Sequence, residues 1–136
     1  MLYTSCYRNV MNLDRNKVIL VKISNSWPAE FDDEIRFDKA VPDWGLIVSP
    51  HKDGKITDEE FEERYVCQLD KYKENIFGVI ANLVQQHKDI IFLCWELPDK
   101  FCHRHIFTKY LNKNFGKEIV KEYTLQKDIG QSKTLF

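Results

Sequence analysis

Six consecutive apolar residues, Ile90 to Trp95 (IIFLCW), form the longest such run in the chain. A strand that is apolar on both faces belongs inside a sheet that is covered on both faces, which is the setting of parallel strands. Parallel neighbours in turn need crossover connections of a dozen or more residues, usually helical. The sequence supplies them on both sides of the run. Upstream, Thr57-Asp58-Glu59-Glu60 is a capping box: the Thr57 hydroxyl accepts from the N3 amide while Glu60 reaches back. Phe61, Tyr65, Leu69, Tyr72, Ile76, Val79, Ile80 and Leu83 then recur at three- and four-residue steps, a core-facing helical stripe. That helix is expected to run from Thr57 to about His87-Lys88, with a break near Asn75 to Gly78 because it is long for a globular helix. Downstream, a second helix begins near Cys102 or His103 and runs to about Asn114, with Gly116 just past its end.

The other strand candidates are Leu2 to Cys6, Val18 to Ser24, Trp44 to Ser49 and Ile119 to Tyr123. Strand, helix, strand, helix, strand is the pattern of an α/β domain with covering helices. The expected architecture is therefore a compact three-layer domain with a mainly parallel sheet of about five strands. Residues 25–43 and 50–56 read as loops rich in Pro, Asp and Gly. A nearly twenty-residue loop is uncommon in a small domain and often serves a site. With 136 residues the chain fits one domain, residues 1–136, whose last ~10 residues read as a loose tail.

Charge excludes some function classes. The net charge is −1, which argues against a binder held to nucleic acid by overall charge. The balance is uneven: residues 1–96 carry 12 basic and 17 acidic groups, and residues 97–136 carry 8 and 4. A net of −5 thus faces a net of +4, and the positive share suggests a local anion site in the C-terminal third. No run is long enough to span a membrane, and the opening MLYTSCYRN does not read as a signal peptide. A cytoplasmic setting is expected. Cys6, Cys67, Cys94 and Cys102 lack a small-domain disulfide pattern, so free thiols are expected as well.

The chemistry concentrates in Ile90 to His105 (IIFLCWELPDKFCHRH). A buried strand ends in Cys94-Trp95-Glu96, a short loop Leu97 to Phe101 follows, and Cys102-His103-Arg104-His105 opens a helix. Ligands of open α/β sheets bind beyond the carboxyl ends of the strands. Helix starts offer free amides and positive partial charge there. Arg104 would add a two-point grip on an anion. Cys94 suits a small core position as well as a ligand-facing one. Cys102 at the helix start has its thiolate favoured, and Glu96, Cys102 and His103 are the catalytic candidates. Tyr3, Thr4 and Ser5, near the end of the first strand, would reach the same pocket if that strand is central. His51 reads as a surface-loop residue with a lesser claim on the site.

Cys94, Cys102, His103 and His105 are zinc-ligand types, but the spacing matches no common structural zinc motif. Adjacent helical residues diverge, so all four are not expected to converge, and no metal or cofactor is implied. There is no GxxxxGK[ST], GxGxxG or GxSxG, which disfavours P-loop, dinucleotide-fingerprint and serine-hydrolase readings.

The start Leu2-Tyr3-Thr4-Ser5, the strand ending Cys94-x-Glu96 and the triplet Cys102-His103-Arg104 resemble the family called domain of unknown function 488. The likeness runs over about residues 1–123. It implies a Rossmann-like α/β domain in which Glu96 and the triplet share a site, and it assigns no activity. Many members carry Gly-His after the opening Tyr-Thr, where this chain has Ser5-Cys6, and Asp-Val-Arg after the second strand, where it has Ser24-Asn25-Ser26-Trp27. A shorter branch with a Tyr-Thr-Ser start is closer. The absent arginine leaves Ser24, Asn25 and Trp27 as alternative polar and stacking contacts.

The expected function is binding of a nucleotide-like or other anionic small molecule at the site of Glu96 and Cys102-His103-Arg104, with Trp27, Trp44 and Trp95 as stacking candidates. Two alternatives stand beside it: a non-catalytic sequestering module, and a thiol-dependent sulfur-transfer or redox enzyme using Cys102. Whether the chain is an enzyme stays open at this point, as does its oligomeric state. Lys100, Arg104, Lys109, Lys113, Lys117 and Lys121 could form a basic stripe, but nucleic acid is the least favoured partner because few aromatics are interleaved.

Overall fold

The computed structural model of the chain describes residues 1–96 and 101–123. Five strands, β1 (Leu2–Cys6), β2 (Val18–Lys22), β3 (Ile35–Arg36), β4 (Asp89–Cys94) and β5 (Val120–Glu122), form one sheet in the order β3-β2-β4-β1-β5. Every pairing is parallel. The apolar run is the central strand: Ile90 pairs in register with Leu2 on one side and with Ile19 on the other. Its placement follows from the sequence, because only a central strand covered on both faces buries Ile90 to Cys94 completely.

The two faces are covered differently. Helices α2 (Asp58–Lys71), α3 (Lys73–Val84) and α4 (His103–Phe115) pack over one face. There Ile19, Val21, Ile90 and Phe92 meet Tyr65, Leu69, Ile76, Ile80 and Phe107 in the main core. The opposite face carries a smaller cluster of Tyr7, Val10, Leu20, Phe31, Ile91 and Leu93. Short 3-10 turns at Tyr7–Val10 and Ala29–Phe31 cover it, and no α-helix lies on it among the described residues. The third layer is therefore thin.

The helix signals are met in detail. Thr57 Oγ1 accepts from the Glu60 amide at 3.1 Å, and Glu60 Oε1 accepts from the Thr57 amide at 3.0 Å. Gly116 caps α4 with φ +70°, a left-handed conformation that glycine adopts without a steric penalty. The break in the long helical stripe falls at Tyr72, not at Asn75 to Gly78. Gly78 lies on the exposed side of α3, where its missing side chain is tolerated.

One expected strand is not a strand. Trp44–Val48 is a π-helical turn that runs on into the short helix α1 (Ser49–Lys52). Asp43 Oδ1 accepts from the Leu46 amide at 2.8 Å, so the Pro-Asp pair opens a helical turn. A short apolar run cannot be told from a buried helical segment by periodicity. In its place the fifth strand is β3, two residues inside the expected 25–43 loop. The expected C-terminal tail lies outside the described residues.

Candidate functional site

The chain leaves β2 toward β3 across the thin face, and leaves β4 toward β5 through α4 on the helical face. Adjacent strands whose continuations diverge in this way open a crevice at their carboxyl ends. The crevice here is a cleft of about 210 Å³. Ser24, Asn25 and Ser26 after β2, Trp95 and Glu96 after β4, and Cys102 and His103 at the start of α4 line it. The wall opposite comes from the turn read as a strand: Trp44, Val48, His51 and Lys52.

Hydrogen bonds fix the floor. Ser24 Oγ donates to the Ser26 carbonyl at 2.7 Å, so the Tyr7 hydroxyl, 2.5 Å from Ser24 Oγ, must be the donor of that pair. Burial pushes the Tyr7 pKa up to about 12, which keeps that proton in place. Trp95 Nε1 donates to Ser26 Oγ at 2.9 Å, and its ring meets Tyr7 edge-on at 5.5 Å. On the far wall His51 Nε2 lies 2.7 Å from Asp58 Oδ1 and its ring packs on Phe61 and Phe101. His51 is thus part of the cleft, not a bystander of the surface loop.

Cys94 and Cys102 are joined by a disulfide, and only Cys6 and Cys67 are free. The expectation of four free thiols is corrected on this point: the short connection between β4 and α4 brings two buried sulfurs together, which spacing alone does not reveal. Cys94 lies beneath the cleft, and Cys102 is the N-cap of α4 and faces into it.

Arg104 departs furthest from its expected place. It is 0% exposed and does not line the cleft. Its Nε and Nη2 donate to the Glu122 carboxylate at 3.1 and 3.0 Å. Its Nη1 donates to the Glu96 carbonyl at 2.5 Å and lies 3.0 Å from Cys94 Sγ. The guanidinium therefore ties β5, the end of β4 and α4 together from below. Its charge is matched by Glu122, so the positive share of the C-terminal third does not gather into an anion pocket through Arg104. Lys109 is likewise paired, with Glu62 at 2.8 Å.

His103 reaches the cleft by its edge, with Tyr65 packed edge-on at 5.7 Å. Its Nε2 bonds the Ile23 carbonyl. A carbonyl only accepts, so Nε2 carries the proton and Nδ1 keeps its lone pair. Burial lowers the His103 pKa from 6.5 to about 4; the Ile23 carbonyl opposes the shift, while Arg104 and His105 add to it. His103 is accordingly a neutral acceptor near pH 7.

Two of the three hydroxyl candidates of β1 are hydrogen-bonded within the protein, and the third packs its ring there. Thr4 Oγ1 donates to Glu122 at 3.0 Å and lies 3.1 Å from Thr108 Oγ1, and Ser5 donates to the Tyr123 carbonyl at 2.6 Å. Tyr3 packs edge-on against Tyr123 on the thin face. None of them lines the cleft, because β4 and Arg104 stand between. Trp27 is also elsewhere: it covers the buried Lys22 ammonium at 3.7 Å and donates to Asp32. Glu96, Cys102 and His103 line the same cleft, with Glu96 Oε1 4.0 Å from Cys94 Sγ. Cys94, Cys102 and His103 also form a group with metal-ligand atoms within 4.8 Å of one another. Three of the four zinc-ligand candidates thus converge, Cys94 from the strand and Cys102 and His103 from the helix start, while His105 is not in the group.

Sequence reading missed Lys52 and Phe101 as cleft residues and Glu122 as the partner of Arg104. A charge-matched buried arginine leaves no local sequence signal, since its partner lies 18 residues away. A larger cavity, about 640 Å³, lies between α2 and the Asp38–Ile47 region. Its lining mixes apolar side chains such as Val41, Leu46, Ile47 and Tyr72 with charged ones such as Asp38, Lys39, Glu63 and Arg64, and it lies away from the motif. The smaller cleft holds the convergent chemistry.

The family model described as "Active DUF488-N3 subclade" matches residues 4–115. The chain belongs to the DUF488 family. The match takes in β1 from Thr4 onward, the cleft, the Cys-x-Glu strand end and all of α4, and stops before β5, which supplies Glu122. No curated protein and no solved structure matches the chain. In this DUF488 domain no helix among the described residues is long and apolar enough to cross a membrane.

Proposed function

We propose that this DUF488 domain binds a nucleotide-like small molecule in the β2–β4 cleft. One observation carries the reading: three exposed aromatic side chains, Trp44 (50%), Trp95 (47%) and Phe101 (39%), surround the cleft that holds Glu96, Cys102 and His103. Large apolar side chains left in water around a crevice mark a binding surface. Flat aromatic walls suit a flat heteroaromatic ring, and Glu96 suits hydroxyl or amino donors. Lys52 and the start of α4 favour an anionic group. A cleft of about 210 Å³ is below the common range for ligand pockets, which favours a single nucleoside unit over a dinucleotide. The setting we envisage is cytoplasmic, without a nucleic-acid partner.

The subclade's own description contains the word active. In a catalytic version Glu96 is the general base and His103, neutral and with a free Nδ1, accepts or relays a proton. The test is calorimetric titration with nucleosides and nucleoside monophosphates, followed by Trp fluorescence. Saturable binding that Trp95→Ala weakens supports the reading. Binding that leaves the ligand chemically unchanged assigns a sequestering module. No heat and no fluorescence change with any of them rejects it.

The Cys94–Cys102 bond favours a second reading, a thiol-dependent redox enzyme using Cys102. The Arg104 guanidinium beside Cys94 Sγ would stabilise the thiolate that leaves when an incoming thiol attacks Cys102. Full turnover by Cys102→Ser on whatever substrate is found would eliminate it.

A further inference from the structure

Cys94, Cys102 and His103 offer two sulfurs and a ring nitrogen within 4.8 Å of one another, at the base of the cleft. We propose that, once the Cys94–Cys102 bond is reduced, these three side chains hold a borderline-soft divalent cation such as Zn²⁺, with its fourth position open to the cleft. The proposal goes beyond ligand binding and does not depend on it.

Geometry comes first. Two thiolates and an imidazole on a zinc tetrahedron sit about 3.5–3.8 Å from each other. The three groups need only adjust within their present span. The Cα atoms of Cys94 and Cys102 are 7.6 Å apart. Disulfide-linked Cα atoms usually lie about 4.4–6.8 Å apart. An ion between two sulfurs bridges a wider backbone gap than a direct bond does, so this spacing suits the ion.

The surroundings are those of a ligand set. Arg104 Nη1 lies 3.0 Å from Cys94 Sγ, placed to donate to a thiolate. The His103 Nε2 bond to Ile23 fixes the tautomer and turns Nδ1 into the available donor atom. Cys102 caps α4 with no side-chain hydrogen bond of its own, and the positive end of that 13-residue helix favours its thiolate. Charge closes as well: two thiolates balance one divalent ion, while Arg104 is already balanced by Glu122. Glu96, with Oε1 4.0 Å from Cys94 Sγ, stands beside the cluster where a fourth ligand or a bound water would be met.

The chemistry of loading is simple. A dithiol reduces the disulfide to two thiols and is itself closed to a disulfide. The two protein thiols then release their protons to solvent as they bind the ion.

The test uses the full chain, reduced with excess dithiol, freed of it without oxygen, and titrated with Co²⁺. One equivalent should give a thiolate-to-cobalt charge-transfer band and tetrahedral visible bands, both removed by Zn²⁺. Cys102→Ser should lose the bands and Cys67→Ser should keep them. In the wild-type chain, Zn²⁺ should slow alkylation of Cys94 and Cys102 by about tenfold or more while leaving exposed Cys67 unchanged. That measurement stands even if a cysteine variant fails to fold. Absence of cobalt bands together with unprotected Cys94 and Cys102 would overturn the proposal. So would bands that survive in Cys102→Ser. Either result leaves the nucleotide titration untouched, so the two ideas fail separately.

Discussion

Arg104 and Glu122 form a two-point pair, Nε to Oε1 at 3.1 Å and Nη2 to Oε2 at 3.0 Å, with the guanidinium fully enclosed. Removing one partner of such a pair strands the other. Glu122→Ala should therefore lower stability by roughly 3 kcal/mol in urea unfolding. The exposed neighbour Lys121→Ala should stay within about 0.5 kcal/mol. Arg104→Lys should not restore what is lost, since an ammonium cannot make both bonds. If Arg104 instead gripped the ligand, Glu122→Ala would leave stability intact and alter only binding.

The cysteines divide into a bonded pair and two free thiols of unlike exposure. Protein purified without reductant should show two reactive thiols in denaturant and four after reduction. In the native state only Cys67 should label quickly, because Cys6 is buried in β1 beside Cys94. Mass mapping of the labelled peptides checks this, and four thiols without reductant would contradict the Cys94–Cys102 bond.

Much of this was legible in the sequence, and the parts that were not share a cause. Ile90 to Cys94 and the Thr57–Glu60 box are local signals, so the central strand and the start of α2 follow directly. The cleft edge formed by Glu96, Cys102 and His103 follows too, because strand end and helix start are neighbours in the chain. Trp44–Val48 is ambiguous locally, and a single side chain, Asp43, decides it. Arg104 was misplaced for a different reason. Its burial depends on β5 lying beside β1 and presenting Glu122, which is a property of strand order and not of any motif.

Asp43 gives the Trp44 wall its shape by capping Leu46 and, through its own amide, holding Gln68 Oε1 at 2.9 Å. Asp43→Ala should cost about 1 kcal/mol, the usual loss for a cap. It should also weaken any nucleoside binding seen by calorimetry, since Trp44 follows directly. Asp43→Asn should retain most of both. A cap loss that leaves ligand affinity unchanged would remove Trp44 from the binding surface.

His103 makes stability depend on pH in a defined direction. Its pKa is about 4 in the folded chain against 6.5 for an unperturbed side chain. Between these values the unfolded chain takes up a proton that the folded one refuses. The contribution of neutral His103 is thus complete above about pH 6.5, falls as the pH drops, and levels off below about 4. Its size is on the order of 3 kcal/mol. Carboxylates titrate in the same range, so the measurement is a difference. His103→Gln keeps a donor for the Ile23 carbonyl but does not titrate. With chelator present, the stability of the wild-type chain relative to His103→Gln should decline from pH 7 to pH 4. A difference that stays flat across that interval would mean that His103 is solvated in the folded chain and that the edge of α4 is more open than its contacts with Tyr65 and Ile23 require.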